Sequence, residues 1–324
     1  MKGRILSGMR PTGALHIGHL SVIQNWVALQ ENNKCYFSIV DLHALTTGYE
    51  DRLDFPRLRR DMALDWLSVG IDPEKSAIFI QSQVKEHSEL HLLFSMFTPL
   101  SWLERVPTYK DQIQQLALQG KDLGTYGFLG YPLLQAADIL LYKATVVPVG
   151  EDQLPHVELC REVGRRFNHL FGTVFPEPQG LVGKVPLLPG VDGRKMSKSY
   201  HNAISLTASS EEIKTRVQQM VTDPARLRKD DPGHPEVCIV DKFHQIYTPE
   251  VAVVEENCRA GKVGCVACKR HLAENLEKLL SPFRERRAYW EEPGRVEKVL
   301  EEGAARARVT ASETMKEVRC VMGL

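Results

Sequence analysis

The chain has 324 residues with 41 basic and 41 acidic side chains, so its formal net charge is zero at neutral pH. This length allows a full core and a second unit, because single cores stop growing at about 250–300 residues. Balanced charge excludes a strongly basic protein, so any nucleic-acid partner would have to be met by local patches. No apolar run approaches the roughly 20 residues of a membrane span, and the first residues lack a secretory apolar stretch. We therefore expect a cytoplasmic protein without a membrane partner.

The first 80 residues alternate between strand and helix patterns. The predicted elements are, in order, a strand at 3–7, a Pro/Gly turn at 9–13, a helix to residue 30, a strand at 35–40, a helix around 58–69 and a strand at 77–80. This alternation predicts an α/β fold with a doubly wound, parallel, Rossmann-like sheet, whose ligands bind beyond the carboxyl ends of the strands. His16 and Asp41 both fall at such ends.

The middle of the chain is predicted to be mainly helical. Residues 86–170 contain a helix at 133–142 and a strand at 146–149, which is typical of a helical insertion between two halves of a sheet. A Pro/Gly-rich stretch at 175–193 then predicts a long loop. The loop leads directly into a lysine-containing motif.

The remainder of the chain is predicted to form helices. The Ser209 hydroxyl can cap a helix while Glu212 returns the bond, and helical patterns continue to the end. We therefore predict a catalytic domain at 1–205, with its helical insertion at about 86–170. A C-terminal all-α domain is predicted at 206–324.

Two short motifs suit the handling of a nucleoside triphosphate. Residues 193–199 read Gly-Arg-Lys-Met-Ser-Lys-Ser and residues 16–19 read His-Ile-Gly-His. Lys195 and Lys198 could stabilise charge that develops on pyrophosphate, and the start of a helix favours anions. Gly18 would let adenine or ribose approach the backbone. The alternatives are a solvated Lys-Ser loop and a helix-capping histidine pair, and no Walker or dinucleotide glycine motif occurs.

In this order, the two motifs resemble the signature of class I aminoacyl-tRNA synthetases. Within that class, the segment Ile-Val-Asp-Leu-His-Ala-Leu-Thr at 39–46 and the segment at 131–153 resemble tryptophanyl-tRNA synthetases. The resemblance runs from the first turn through the lysine loop. It implies a tryptophan–tRNA ligase that activates L-tryptophan with ATP to tryptophanyl-AMP and then charges the 3′ end of tRNA(Trp).

The resemblance also implies the site residues. The catalytic set is His16, His19, Lys195 and Lys198. The ATP-binding set is Arg10, Thr12, Gly18, His19, Gly150, Asp152, Lys195, Met196, Ser197 and Lys198, with Mg²⁺ on the phosphates. The tryptophan-binding set is Val40, His43, Tyr131, Gln135, Asp138 and Gln153, in which Tyr131 and Gln153 would hold the α-amino group. Gln135 and Arg10 depart from the family's usual residues.

Asp138 is the predicted determinant of amino-acid choice. It lies in a helix otherwise filled with Leu, Ile and Ala, so its carboxylate is expected at the rim of an apolar pocket, where it needs a donor. The indole N–H is such a donor, and a site built to accept it rejects phenylalanine by about 10⁴–10⁵. The alternative is a surface carboxylate on a half-exposed helix.

Four of the seven cysteines lie within 31 positions. They are Cys238, Cys258, Cys265 and Cys268, with gaps of 19, 6 and 2 residues. Such thiolates suit a [4Fe–4S] cluster or Zn²⁺, and free thiols remain an alternative. The spacing of the last three resembles the motif of a subset of tryptophanyl-tRNA synthetases that carry a [4Fe–4S] cluster. The neighbouring basic residues could contact tRNA phosphates; they are Arg259, Lys262, Lys269 and Arg270.

Three rival functions remain open. A tyrosyl-tRNA synthetase would share the fold and both phosphate motifs, but residues 4–8 lack the tyrosine that such an enzyme uses for its substrate. A nucleotidylyltransferase would use the same sheet with another acceptor, and a paralogue could have kept the fold without catalysis. Family resemblance also implies a homodimer whose interface is the helical insertion.

Overall fold

The structure is a computed structural model that describes residues 3–117, 124–183, 188–196 and 200–324. The chain divides into two compact units. The first contains Met1–Thr12, Asn25–Lys184 and Glu292–Leu324, and the second contains Gly13–Gln24 and Val185–Glu291. The predicted boundary near residue 205 therefore does not separate the compact units. The assignment of 1–205 to catalysis and of 206–324 to anticodon binding remains a prediction.

The first unit is built on a five-stranded sheet in the order β3-β2-β1-β4-β5, and every neighbouring pair is parallel. The strands are β1 Arg4–Met9, β2 Lys34–Ile39, β3 Ser76–Ile80, β4 Val146–Val149 and β5 Gln179–Val182. The chain builds one half outward from β1 to β3 and the other from β4 to β5, so the sheet is doubly wound. All of β3 and all but the first residue of β2 are buried. The predicted Rossmann-like parallel sheet is confirmed.

Helices connect the successive parallel strands, because a parallel pair needs a crossover connection. The helices up to β5 are α1 Leu20–Gln30, α2 Asp41–Gly48, α3 Phe55–Val69, α4 Glu86–Ser95, α5 Leu100–Glu104, α6 Pro107–Ala117, α7 Tyr126–Leu129, α8 Tyr131–Leu141 and α9 Leu154–Phe171. The mainly helical stretch between β3 and β4 agrees with the predicted insertion. In the part of the chain that is described, no helix is long and apolar enough to cross a membrane.

The last helix of the chain, α14 at Arg295–Met322, belongs to the sheet unit. Its Thr310 Oγ1 lies 2.8 Å from the Tyr36 hydroxyl of β2, and Arg306 donates to the Ser76 carbonyl of β3 at 2.8 Å. A Cβ atom at Gly303 would lie 1.8 Å from the Ile78 carbonyl oxygen, so only glycine permits this approach. The prediction that all residues after 205 form one separate helical domain misses this return.

The second unit is helical. Its helices are α10 Ser210–Gln219, α11 Ile239–Tyr247, α12 Val251–Arg259 and α13 Cys265–Trp290. The predicted cap is confirmed: Ser209 Oγ accepts from the Glu212 amide at 3.2 Å, and Glu212 Oε2 accepts from the Ser209 amide at 2.7 Å. The segment 13–24 joins this unit through the Ile17 amide, which donates to the Ile204 carbonyl at 2.9 Å.

Two elements differ from the sequence prediction. β5 lies inside the stretch that was predicted to be a loop. It was not predicted as a strand because its four residues are half-buried or exposed and form no buried apolar run. The helix α2 was also not predicted. It begins directly after the buried strand β2, and its start is fixed by hydrogen bonds to the Asp41 carboxylate, which periodicity cannot reveal.

Candidate active site

Asp138 is the centre of a buried polar cluster in the first unit. It lies on α8 and is 3% exposed. His43 Nε2 contacts Asp138 Oδ2 at 3.0 Å, and His87 Nδ1 contacts Oδ1 at 2.6 Å. Gln81 Nε2 donates to both oxygens, at 2.8 and 2.9 Å. The alternative of a surface carboxylate on a half-exposed helix is therefore wrong.

The Asp138 carboxylate is held ionised by these neighbours. Burial by itself raises its pKa, but the charge and hydrogen bonds of His87 and His43 outweigh burial and hold the pKa well below its usual range. A buried carboxylate with this many donors is a strong acceptor whose orientation is fixed. The cluster can therefore present an oriented negative group to a donor such as an indole N–H.

Gln81 and His87 are site residues that sequence reasoning missed. Gln81 lies just beyond the carboxyl end of β3 and is fully buried, and its Oε1 also accepts from the Leu42 amide at 3.1 Å. His87 lies on α4, and its Nε2 is 2.8 Å from the Tyr142 hydroxyl. Neither residue belongs to a recognisable motif. The only available signal for Gln81 was its position immediately after a buried strand.

A second buried carboxylate fixes the carboxyl edge of the sheet. Asp41 Oδ1 accepts from the Leu42 and Ser82 amides at 3.1 and 3.0 Å, and Oδ2 accepts from Ser82 Oγ at 2.6 Å. Arg59 pairs with Asp41 Oδ2 at 2.6 Å. Asp41 thus joins the turn after β2 to the turn after β3. His43 and Gln81 are carried by these two turns and are thereby positioned around Asp138.

Tyr131 lies in the same unit at the end of a polar chain. Its hydroxyl is 3.0 Å from Thr108 Oγ1, which is 2.6 Å from His156 Nε2. Burial raises the pKa of Tyr131, while the Thr108 hydrogen bond and the Arg10 charge oppose the rise. Burial lowers the pKa of His156 to about 4, so this imidazole is neutral at neutral pH. These hydrogen bonds fix the orientation of the Tyr131 phenol and leave the other hydrogen-bonding positions of its hydroxyl for a ligand.

The other first-unit residues predicted for substrates are more exposed. Val40 and Gln135 are half-buried. Gln153 Nε2 donates to Asp152 Oδ2 at 2.9 Å, and a Cβ atom at Gly150 would lie 2.6 Å from Asp152 Oδ1. Gly150, Asp152 and Gln153 are therefore brought together after β4.

Two further predicted ATP residues lie after β1. Arg10 donates to Thr47 Oγ1 at 3.4 Å and lies close enough to Tyr131 for its charge to influence that phenol. Thr12 is exposed, and its amide donates to the Arg10 carbonyl at 2.9 Å. The structure therefore places Arg10, but not Thr12, beside a residue predicted to bind tryptophan.

The two histidines of the first motif lie at a helix start in the second unit. His16 caps one turn of 3₁₀ helix, Ile17–His19, and His19 is the last residue of that turn, which leads into α1. The His16 and His19 rings are 3.8 Å apart, and the His16 amide donates to His19 Nδ1 at 3.2 Å. A Cβ atom at Gly18 would lie 3.0 Å from the His16 ring and 3.4 Å from Met196 Sδ. The structure therefore brings the two signature motifs together within one unit.

The lysine motif begins in a tight turn. The Gly190 amide donates to the Arg194 carbonyl at 2.7 Å, and Gly193 has φ +83°, a conformation that glycine adopts readily. Asn202 Nδ2 donates to Asp192 Oδ1 at 2.8 Å and to the Lys195 carbonyl at 3.1 Å. The backbone of Lys195 is therefore fixed at the end of the turn. Ser197 and Lys198 lie outside the described residues.

The four clustered cysteines converge in the second unit with free thiols. Burial raises the pKa of Cys268 to about 12, and each of the other three thiols is close enough to raise it further. Cys238 precedes α11, and the backbone amides of Val240 and Asp241 oppose the effect of burial on its pKa.

The surroundings of the cysteines include cationic and imidazole groups. Arg226 Nη1 donates to Cys258 Sγ at 3.8 Å, and a Cβ atom at Gly233 would lie 2.6 Å from that sulfur. His244 Nε2 lies 3.4 Å from Cys268 Sγ. Within the described residues, no group of three or more His, Cys, Asp or Glu side chains is arranged to hold a metal ion.

Comparison with known proteins shows the family to which the chain belongs. The family model for class I tRNA synthetases (W and Y) matches residues 2–281. The chain therefore belongs to the class I aminoacyl-tRNA synthetases for tryptophan and tyrosine. A tryptophan–tRNA ligase of Thermotoga maritima is 54% identical over 327 residues, which cover 99% of each chain. One of Aquifex aeolicus is 45% identical over 393 residues, covering 99% of this chain and 100% of the relative.

Solved structures agree with this assignment. The tryptophanyl-tRNA synthetase of Campylobacter jejuni, complexed with ADP and tryptophan, has a TM-score of 0.87 at 34% identity and covers 99% of this chain and 100% of its own. A tyrosyl-tRNA synthetase of Archaeoglobus fulgidus has a TM-score of 0.67 at 20% identity, which shows the fold alone. Full-length identity to the tryptophan enzymes favours tryptophan over the tyrosine alternative.

Proposed function

We propose that the chain activates L-tryptophan with ATP and transfers it to tRNA(Trp). It is a tryptophan–tRNA ligase of class I. The observation that carries this function in the structure is the buried, ionised Asp138 with its three fixed donors, in a chain similar to tryptophan–tRNA ligases over its full length.

Two successive group transfers follow from this activity, first of the adenylyl group of ATP and then of the tryptophanyl group. In the first, a tryptophan carboxylate oxygen attacks the α-phosphorus of ATP, the bond between the α- and β-phosphates breaks, and pyrophosphate leaves. In the second, a terminal ribose hydroxyl of tRNA attacks the activated carbonyl, and AMP leaves. Neither step requires a protein nucleophile. Positioning and charge stabilisation supply the catalysis.

The residues of the two motifs suit charge stabilisation. We assign His16, His19, Lys195 and Lys198 to the phosphates, because directional donors and cations placed in advance stabilise the charge that develops on leaving pyrophosphate. The fixed backbone of Lys195 and the position of Met196 Sδ, 3.4 Å from where a Gly18 Cβ would lie, support this assignment for the described part of the motifs. Mg²⁺ bound to the phosphates would supply further positive charge.

Selection of tryptophan is assigned to Asp138. An ionised carboxylate has about four acceptor positions, and the indole N–H is a donor without an acceptor. Phenylalanine lacks this donor, and a site built to hydrogen-bond its substrate rejects an analogue without that group by about 10⁴–10⁵, so no editing site is needed. His43, Val40 and Gln135 complete the proposed amino-acid pocket.

The α-amino group is assigned to Tyr131 and Gln153. Because His156 is neutral, its Nε2 can accept from the Thr108 hydroxyl, and Thr108 can then accept from the Tyr131 hydroxyl. This order turns the lone pairs of Tyr131 toward a ligand. An ammonium group, which only donates, matches it.

Aminoacylation assays test the function. Purified protein with homologous tRNA and ATP should charge tRNA with tryptophan and reject tyrosine and phenylalanine. Equal charging with tyrosine would contradict the proposal. An Asp138→Ala variant should chiefly lose affinity and selectivity for tryptophan.

We further propose that the four clustered cysteines hold a [4Fe–4S] cluster. Cys238 and Cys265 lie at the starts of α11 and α13, where backbone amides stabilise thiolates, and Arg226 offers a cation to Cys258. This donor set fits a cysteine-ligated cluster. A [4Fe–4S] cluster would be held by four cysteine thiolates, and zinc held by the same four thiolates is the alternative.

Metal analysis separates the two possibilities. Protein purified without oxygen should be brown and contain about four iron and four sulfide per chain if the cluster is present. A colourless protein with one zinc per chain would overturn the proposal in favour of zinc. Cys258→Ser should lower the iron content, whereas Cys320→Ser, at an exposed cysteine remote in sequence, should leave it unchanged.

The family also implies a homodimer formed by the helical insertion, and we propose the same here. Large apolar side chains are exposed in this region: Leu92, Met96, Leu100 and Tyr126. Exposed apolar residues that are close in sequence suit a second copy of the chain. Sedimentation velocity should give a dimer, and Leu100→Glu should shift it toward monomer. We also propose a cytoplasmic location and anticodon binding by the second unit.

A further inference from the structure

Two residues outside the predicted pocket are hydrogen-bonded in series to the Asp138 carboxylate. His87 and Tyr142 are fully buried. His87 Nδ1 lies 2.6 Å from Asp138 Oδ1, and His87 Nε2 lies 2.8 Å from the Tyr142 hydroxyl. Both ring nitrogens of His87 are therefore engaged, one by the carboxylate and one by the phenol.

The chemistry of the groups fixes the direction of the hydrogen bond between His87 and Asp138. An ionised carboxylate only accepts, so His87 Nδ1 carries a proton and donates it to Asp138. Burial, and next the charge of Asp138, raise the pKa of Tyr142 well above its ordinary value, so the phenol remains protonated. Its hydroxyl pairs with His87 Nε2, as donor to a neutral imidazole or as acceptor from a protonated one. Tyr142, His87 and Asp138 therefore form one hydrogen-bonded chain.

Packing prevents His87 from leaving this arrangement. Its ring lies 6.0 Å from the Phe79 ring, and the Tyr142 ring is stacked 4.5 Å from the Tyr36 ring. A flip of the imidazole would place carbon atoms against both the carboxylate and the phenol, and it would leave two buried polar groups unpaired. The imidazole therefore holds one orientation.

The orientation of the His87 ring matters because Asp138 also accepts hydrogen bonds from other side chains. Gln81 bridges both carboxylate oxygens, and His43 takes one position on Oδ2. With His87 on Oδ1, three side chains already make four contacts with the carboxylate, so an incoming N–H has to share an oxygen with one of them. Loss of the His87 contact would leave Oδ1 with Gln81 alone and let the carboxylate rotate away from the direction that the substrate requires.

We propose that His87, backed by Tyr142, is a positioning residue for tryptophan selection that fixes the direction in which Asp138 accepts the indole N–H. This inference rests on the proposed role of Asp138. Neither His87 nor Tyr142 is assigned a contact with the substrate, and both act through the carboxylate.

The test compares tryptophan with its benzothienyl analogue, in which sulfur replaces the indole N–H. The preference for tryptophan is the ratio of kcat/KM for the two amino acids in ATP–pyrophosphate exchange. His87→Leu should lower this preference by at least about tenfold, the lower end of the effect of a hydrogen bond to a charged group. His87→Asn, whose amide can reach Asp138 as Nδ1 does, should restore part of it.

If His87→Leu prevents folding, the Tyr142→Phe variant still tests the proposal. It removes only the phenol hydroxyl and should lower the preference by about threefold to tenfold, in line with the loss of one neutral hydrogen bond. Tyr36→Phe is the matched control, because it removes another buried hydroxyl, bonded to Thr310 Oγ1, from the same core. The control should keep the wild-type preference.

The Asp138→Asn variant distinguishes a failure of the proposed role of Asp138 from a failure of the proposed role of His87. If Asp138→Asn abolishes the preference but Tyr142→Phe and His87→Leu match Tyr36→Phe, the positioning role of His87 is wrong and the role of Asp138 stands. If Asp138→Asn itself keeps the wild-type preference, the role of Asp138 fails and the inference fails with it.

Discussion

Replacing Asp138 by Asn should destabilise the first unit substantially. The change keeps the shape of the side chain but replaces one acceptor oxygen by a donor, so the groups on Gln81, His43 and His87 no longer all find an acceptor. Each hydrogen bond to a charged group contributes about 1.5–3 kcal/mol. Removal of one partner from a buried ionic cluster costs about 3–5 kcal/mol, and we expect a loss of unfolding free energy in that range.

The loss should depend on pH. Because the folded-state pKa of Asp138 is lowered, its ionised form adds stability above the unfolded-state pKa, which is about 3.9 for aspartate. That contribution disappears as the pH falls through the folded-state pKa. The difference between wild type and Asp138→Asn should therefore be full at pH 7 and shrink below about pH 4.

Urea unfolding followed by far-ultraviolet circular dichroism measures this difference. The matched control is Asp111→Asn, at an exposed aspartate on α6, which should change stability by no more than about 0.5 kcal/mol. If Asp138→Asn matched the control at pH 7, or if its deficit stayed the same at pH 3, the reasoning about a buried ionised carboxylate would be refuted.

Three further predictions address other parts of the molecule. Gly303→Ala should cost about 1–3 kcal/mol by overpacking against the Ile78 carbonyl, whereas Gly127→Ala, with open space around its Cβ position, should be neutral or slightly stabilising in the same unfolding assay. Thr108→Val should raise the KM for tryptophan roughly tenfold, because it breaks the chain that orients Tyr131, and an unchanged KM would contradict that role. Lys195→Ala should lower kcat for adenylate formation by about 10²–10³ with little change in the KM for tryptophan, and a wild-type kcat would remove the lysine from the chemistry.

The sequence predicted the parts of the fold that are recorded in local patterns. The strands β1 to β4 were found because short apolar runs between turn signals indicate strands. β5 was missed because an edge strand with exposed residues lacks such a run. The return of α14 to the sheet was missed because periodicity shows which face of a helix is apolar but not what covers it. Gly303, in the middle of that helix, was the one local sign of a close approach.

The residues of the candidate site were also predictable only where a local sequence pattern marks them. Asp138 stood out because a carboxylate in an otherwise apolar helix needs a partner. Gln81 and His87 did not, because they are ordinary polar residues on other elements that meet Asp138 only in the folded chain. The four cysteines were recognisable from spacing, but the placement of Cys238 and Cys265 at helix starts required the structure.

Amino-acid-dependent exchange of labelled pyrophosphate into ATP tests the central claim most directly, because it reports adenylate formation without tRNA. The purified chain should catalyse exchange with tryptophan and none above background with tyrosine or phenylalanine. Equal exchange with tyrosine, or no exchange with tryptophan, would contradict the assignment of Asp138 and of the two motifs to tryptophan activation.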